Sequence, residues 1–153
     1  MRKLFLTFFY SGLSPYAPGT AGSILASIVG FGILHYLPLE TLFLLTILLT
    51  LVAIKEINIY KKLTQTHDDK SIVIDEVVGV WLAFVLSSGT TAQMVLSFIY
   101  FRIFDIWKPS IIGKIDKNVT GGWGVMGDDI VAGIVAGICS AGTWQLYMYL
   151  FSA

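Results

Sequence analysis

Three groups of charged residues interrupt an otherwise apolar chain, and their types suit phosphate chemistry. Asp75 and Glu76 stand side by side. Arg102, Asp105 and Lys108 recur at every third position. Asp128 and Asp129 follow the glycine-rich run GGWGVMG, residues 121–127. Together they supply five carboxylates and two cations. Hard carboxylate oxygens suit Mg²⁺, which takes one or two protein carboxylates and leaves room for water and a substrate phosphate. Arginine offers a phosphate a planar fork, and lysine offers a point charge.

Each group also has a plainer explanation. Acidic residues at a helix start are favoured by the helix dipole, which would account for Asp75-Glu76 or Asp128-Asp129. Neighbouring helical positions point about 100° apart, so Asp75 and Glu76 cannot serve one partner equally. Arg102, Asp105 and Lys108 share one helical stripe as the helix leaves an apolar environment. A ladder of snorkelling ion pairs explains Lys108 well and Asp105 poorly. After Asp129, the spacing Gly133, Gly137, Ala141 continues one stripe of small residues, which lets a second helix approach closely. Asp129 heads that stripe and is expected to face the bundle interior.

Other chemistries find no footing. Cys139 is the single cysteine and lies in an apolar run, so it reads as a buried thiol. His35 and His67 belong to no ligand spacing, which argues against zinc. There is no GxSxG with a triad base and no GxxxxGK[ST] phosphate loop. The net charge is zero, so no bulk field points to a nucleic-acid partner.

The elements that must position these groups read as membrane helices. Of 153 residues, 56% are hydrophobic and 13% charged, against about 25% charged in a soluble domain. The expected fold is all-α: a polytopic membrane bundle of about five membrane-embedded helices in a single domain, 1–153, plus a short N-terminal interfacial or re-entrant helix. The stretch Leu4 to Tyr10 follows Arg2 and Lys3 like a signal peptide, but it is too short and lacks a cleavage site. It is also too short to span, which takes about 20 residues. Residues 11–22 (SGLSPYAPGTAG) read as a loop, with Thr20 capping the helix that follows. Spans are expected at 20–37, 39–60, 72–88, 91–107 and 129–151, with tight turns at Pro38 and Gly89. The segments 61–71 and 108–128 read as loops. All ten lysines and arginines then lie on or near one side, with Glu40 alone among the charges on the other. By the positive-inside rule the charged side is cytoplasmic, and all three acidic groups face it.

The residues GLSPYAPGTAGS (12–23), SIVIDEVVGVW (71–81), FRIFDIWKP (101–109) and GGWGVMGDDIVAG (121–133) now stand in an order that resembles bacterial phosphatidylglycerophosphatase A. Asp116 also fits that family's pattern, and Gly127 replaces a bulkier apolar residue. The resemblance implies a Mg²⁺-dependent phosphomonoesterase of the bacterial cytoplasmic (inner) membrane. Such an enzyme converts phosphatidylglycerophosphate to phosphatidylglycerol and phosphate in phospholipid biosynthesis.

The expected site follows. Glu76, Asp105 and Asp129 hold Mg²⁺, with Asp75 and Asp128 in or beside the shell. A bound water attacks phosphorus, or Asp105 or Asp129 does so to form an aspartyl-phosphate. Arg102 and Lys108 neutralise the phosphate oxygens. Ser14 and Thr20, in the first loop, complete the cradle. The alternative is an ion- or proton-coupled membrane transporter, which would place its charges near the bilayer midplane.

Overall fold

The computed structural model describes residues 1–65, 69–87 and 90–151. His67 and the turn expected at Gly89 lie outside them. Among the described residues the chain is all-helical. The helices are α1 (Arg2–Leu6), α2 (Pro18–Tyr36), α3 (Leu39–Thr64), α4 (Ile74–Leu86), α5 (Thr91–Trp107), α6 (Ile111–Asn118) and α7 (Gly121–Phe151), with a 3-10 turn at Ser11–Leu13. Five are long, and α1 and α6 are short. Three are long and apolar enough to cross a membrane: α2, α3 and α7. Leu44, Leu48 and Leu51 on α3 repeat at helical spacing and are all exposed, as a lipid-facing stripe would be.

The central helix is α4. It packs against α2, α3, α5 and α7. Ile74, Val77, Val78, Val80, Ala83 and Phe84 are all buried. At 13 residues it is about 20 Å long, short of a bilayer core of about 30 Å. Four other helices pack around most of it, which explains its near-continuous apolar sequence. Trp81 donates its indole N–H to the Ala26 carbonyl of α2 at 2.9 Å. The small-residue stripe of α7 packs on α4 as its spacing predicts. A Cβ on Gly133 would stand 3.0 Å from Gly79 Cα, and one on Gly137 would stand 3.0 Å from the Ala83 carbonyl oxygen. Such approach requires glycine at these positions of α7.

Three local expectations are corrected. First, the glycine-rich segment 121–127 is not a loop, because α7 begins at Gly121. Gly121 itself is left-handed (φ 77°), and Asn58 of α3 accepts the Gly122 N–H at 2.7 Å. A side chain from another helix thus satisfies one of the free donors at a helix start. Glycines along this turn also admit close neighbours, with the Ile54 carbonyl 2.5 Å from where a Gly122 Cβ would stand. Second, the segment 108–128 contains α6, whose buried Ile112 anchors it to the bundle. Third, α2 starts at Pro18 with Ala17 at its cap position, so Thr20 lies inside the first turn and caps nothing. Proline suits that position because its missing N–H would find no helical acceptor there.

The N-terminal helix is built into the bundle at one end. Arg2 pairs with Glu56 of α3 at 2.6 Å. The Leu6 carbonyl accepts the Val73 N–H at 3.0 Å, and Leu6, Thr7 and Phe8 are buried. Phe9 and Tyr10 remain exposed. This segment props the chain just before Asp75.

Candidate active site

Three helix ends meet where the charges gather: the start of α4, the end of α5 and the first turns of α7. Asp75 and Glu76 lie in the first turn of α4. Their side chains diverge, as the 100° step requires. Glu76 turns toward α2 and α5. Asp75 turns to a cavity between α3, α6 and α7, and its Oδ1 accepts the Glu76 N–H at 3.1 Å.

Arg102 organises the first half of the site. Its Nη1 lies 2.7 Å from Asp105 Oδ2, 3.1 Å from Glu76 Oε2 and 3.1 Å from Ser23 Oγ. Its Nη2 lies 3.1 Å from Thr20 Oγ1. Ser23 is fully buried, donates to Glu76 and also reaches the Gly19 carbonyl at 2.9 Å. One guanidinium therefore joins α2, α4 and α5. Gly19 makes room for this, because a Cβ there would meet the Glu76 carboxylate.

Lys108 organises the second half. The sequence spacing puts it on one stripe with Arg102 and Asp105, but α5 ends at Trp107. Lys108 takes a left-handed conformation (φ 47°). That turn swings its side chain away from the stripe and onto α6 and α7. Its Nζ lies 2.6 Å from Asp116 Oδ1 and 2.7 Å from Asp128 Oδ2. Burial pushes the ammonium pKa down, but the hydrogen bonds and charges of Asp116 and Asp128 outweigh it, so Lys108 is held above the usual lysine range.

Asp128 and Asp129 are both buried, at 5% and 3% exposure. Asp128 Oδ1 has no hydrogen-bond partner. Asp129 lies where the charges of Asp75, Asp105, Asp128 and Glu76 all act on it. Five carboxylates thus share a small volume with two cations. Among the described residues, no three acidic, histidine or cysteine side chains form a ready-made set of metal ligands.

The structure brings together Asp75, Glu76, Arg102, Asp105, Lys108, Asp128, Asp129 and Thr20. Ser14 lies at the end of the 3-10 turn, and no described contact joins it to the cluster. Sequence reasoning missed three participants. Ser23 is one turn beyond Gly19 in an apolar helix and carries no charge to betray it. Asp116 fits a family pattern in the sequence, but its partnership with Lys108 depends on the turn at 108–110. Asn58 gives no signal in the sequence, since its role is to hold the start of a helix 64 positions away.

A cavity of about 950 Å³ opens beside the cluster, and Asp75, Lys108, Asp116 and Asp128 help to line it. Its size falls within the ordinary range of small-molecule sites, about 300–1,000 Å³.

Comparisons with known proteins identify the family. The family model described as Phosphatidylglycerophosphatase A matches residues 4–144. Phosphatidylglycerophosphatase A of Escherichia coli (strain K12) is 42% identical over 129 residues, covering 84% of this chain and 74% of that protein. A putative phosphatidylinositol-3-phosphatase of Bacteroides thetaiotaomicron is 39% identical over 144 residues, covering 88% of each. Phosphatidylglycerophosphatase A of Haemophilus influenzae is 37% identical over 132 residues, covering 84% of this chain and 79% of that protein. No solved structure matches the chain. The family match takes in every helix that carries the cluster, and the chain belongs to the phosphatidylglycerophosphatase A family.

Proposed function

We propose that this protein is a Mg²⁺-dependent lipid phosphatase of the bacterial inner membrane, which releases phosphate from phosphatidylglycerophosphate at its cytoplasmic face. The observation that carries this reading is the convergence of Asp75, Glu76, Asp105, Asp128 and Asp129 with Arg102 and Lys108 at one end of the bundle. The names of the two phosphatidylglycerophosphatase A relatives supply the substrate. The lysines and arginines at the same end support the cytoplasmic orientation.

The donor set fits a hard cation. Carboxylates outnumber cations, and the Asp128 Oδ1 atom is buried without a partner. An uncompensated group of that kind is costly to bury. The lack of a closed three-carboxylate set is compatible with Mg²⁺, which keeps much of its shell for water and phosphate. Asp75, Asp128 and Asp129, with Glu76 and Asp105, would hold it. When bound, it would neutralise phosphate charge and acidify a water.

The chain's own groups do the rest. Arg102 holds Glu76 and Asp105 in fixed positions and keeps its Nε–H free of the bonds made by Nη1 and Nη2. Lys108 has three donors, two of which reach Asp116 and Asp128, so the third can reach a phosphate oxygen. Both cations are already positioned before charge develops in the transition state.

Purified full-length protein in a neutral detergent should release inorganic phosphate from phosphatidylglycerophosphate. Absence of release with Mg²⁺ present would reject the reading. The Bacteroides relative's name also makes phosphatidylinositol 3-phosphate worth assaying. Both lipids carry a phosphomonoester on a polyol joined through a phosphodiester to diacylglycerol.

A further inference from the structure

The cavity beside the site has a second wall that the catalytic reading leaves without a role. Lys61 and Lys62 project from the last turn of α3, Lys117 from α6 and Lys70 from the segment before α4, and all four line it. None of the four belongs to an ion pair among the described residues. Four carboxylates line the cavity; Asp75 and Asp128 belong to the cluster, and the other two are engaged. Asp69 accepts from Tyr60 Oη at 2.7 Å and Ser71 Oγ at 2.7 Å, and Asp116 accepts from Lys108. Four lysines against Asp69 and Asp116 leave this outer wall net positive, while the inner wall, at the cluster, carries Asp75 and Asp128. Arg102 and Lys108, the cations nearest the carboxylates, are already bonded to them. Among the described residues, the positive charge in the cavity that is not already in an ion pair lies on the four lysines.

We propose that Lys61, Lys62, Lys70 and Lys117 form a second anion subsite. It holds the phosphodiester of a lipid headgroup whose terminal phosphomonoester lies at Asp75, Lys108 and Asp128. This rests on the lipid phosphatase reading above and adds a basis for selectivity. A lipid with two phosphates separated by a polyol fills both walls of the cavity. A lipid whose only phosphate is the monoester fills the inner wall alone. Loss of the charge-assisted contacts at such a site is expected to lower affinity about tenfold.

The test compares phosphatidylglycerophosphate with diacylglycerol phosphate, both in neutral detergent micelles, so that attraction to an anionic membrane plays no part. The full-length protein should prefer the two-phosphate lipid in kcat/KM. In Lys61→Gln/Lys62→Gln, and separately in Lys117→Gln, that preference should fall about tenfold, through KM of the two-phosphate lipid. Lys62 and Lys117 are exposed and Lys61 is half-buried, and they stand on two different helices, so a shared folding defect would not produce this pattern. A preference equal to that of the unsubstituted protein in both variants would overturn the subsite. So would an equal loss on both lipids. Phosphate release from neither lipid by the unsubstituted protein would instead overturn the phosphatase reading itself.

Discussion

Arg102 of α5 donates to Glu76 of α4 across 3.1 Å, and the two side chains are only 15% and 13% exposed. Ser23, Thr20 and Asp105 complete the guanidinium's contacts. Removing one partner of a buried pair costs about 3–5 kcal/mol, because the other charge is left uncompensated. Arg102→Met should therefore unfold more easily in detergent by about 3 kcal/mol. Arg102→Met/Glu76→Gln should recover part of that loss. Thermal or denaturant unfolding of the two variants checks both statements. Arg102→Lys keeps the charge but lacks the fork, so it should retain more stability than Arg102→Met while losing phosphate release.

Gly19 tests the packing behind Glu76. On an open helix surface, Gly→Ala would stabilise by about 0.4–1 kcal/mol. Here the added Cβ would lie 3.0 Å from Glu76 Cδ and closer still to Oε1. The carboxylate is a side-chain end and can move, so the fold should survive. Gly19→Ala is expected to displace Glu76 and lower kcat, with a stability change within about 1–3 kcal/mol. A kcat equal to that of the unsubstituted protein would show that the position of Glu76 is not critical.

Asp69 fixes the segment that leads into α4, outside the apolar spans. Burial pushes its pKa up, but hydrogen bonds from Ser71 and Tyr60 outweigh that and hold the carboxyl below its usual value. A depressed carboxylate pKa stabilises the fold above the unfolded value of about 3.9, and that contribution is lost as pH falls through the folded value. Asp69→Asn should thus be less stable than the unsubstituted protein at neutral pH, and the gap should close below about pH 4. Unfolding midpoints measured across pH give the comparison.

Much of this architecture was legible because the signals were local. Apolar runs bounded by Pro38, the polar stretch after Tyr60 and Pro109 give the long helices. The Gly133–Gly137 stripe gives the face of α7 that meets α4. The divergence of Asp75 and Glu76 follows from helical geometry alone. What escaped depended on partners distant in sequence. Glycines at 121–127 read as a loop by propensity, yet Asn58 caps the helix they form, and the close approach of α3 requires them. Lys108 fits a three-residue stripe until its left-handed turn carries it to Asp116 and Asp128. The length of α4 suits a short span by hydropathy, but the burial of most of its residues against four other helices makes it the core of the bundle.

The central claim is that the carboxylates gathered from α4, α5 and α7 work together with Mg²⁺ to release phosphate from a lipid phosphomonoester. Asp105 comes from α5 and Asp129 from α7, and neither is needed to make a helix. The direct measurement is phosphate release from phosphatidylglycerophosphate by the purified protein and by Asp105→Asn and Asp129→Asn, each with Mg²⁺ and with EDTA. The unsubstituted protein should release phosphate, EDTA should abolish that release and added Mg²⁺ should restore it. Each variant should lose at least about 100-fold, in the range seen when a preorganised electrostatic group is removed. Near-normal release by both variants, or release that EDTA leaves unchanged, would contradict the central claim.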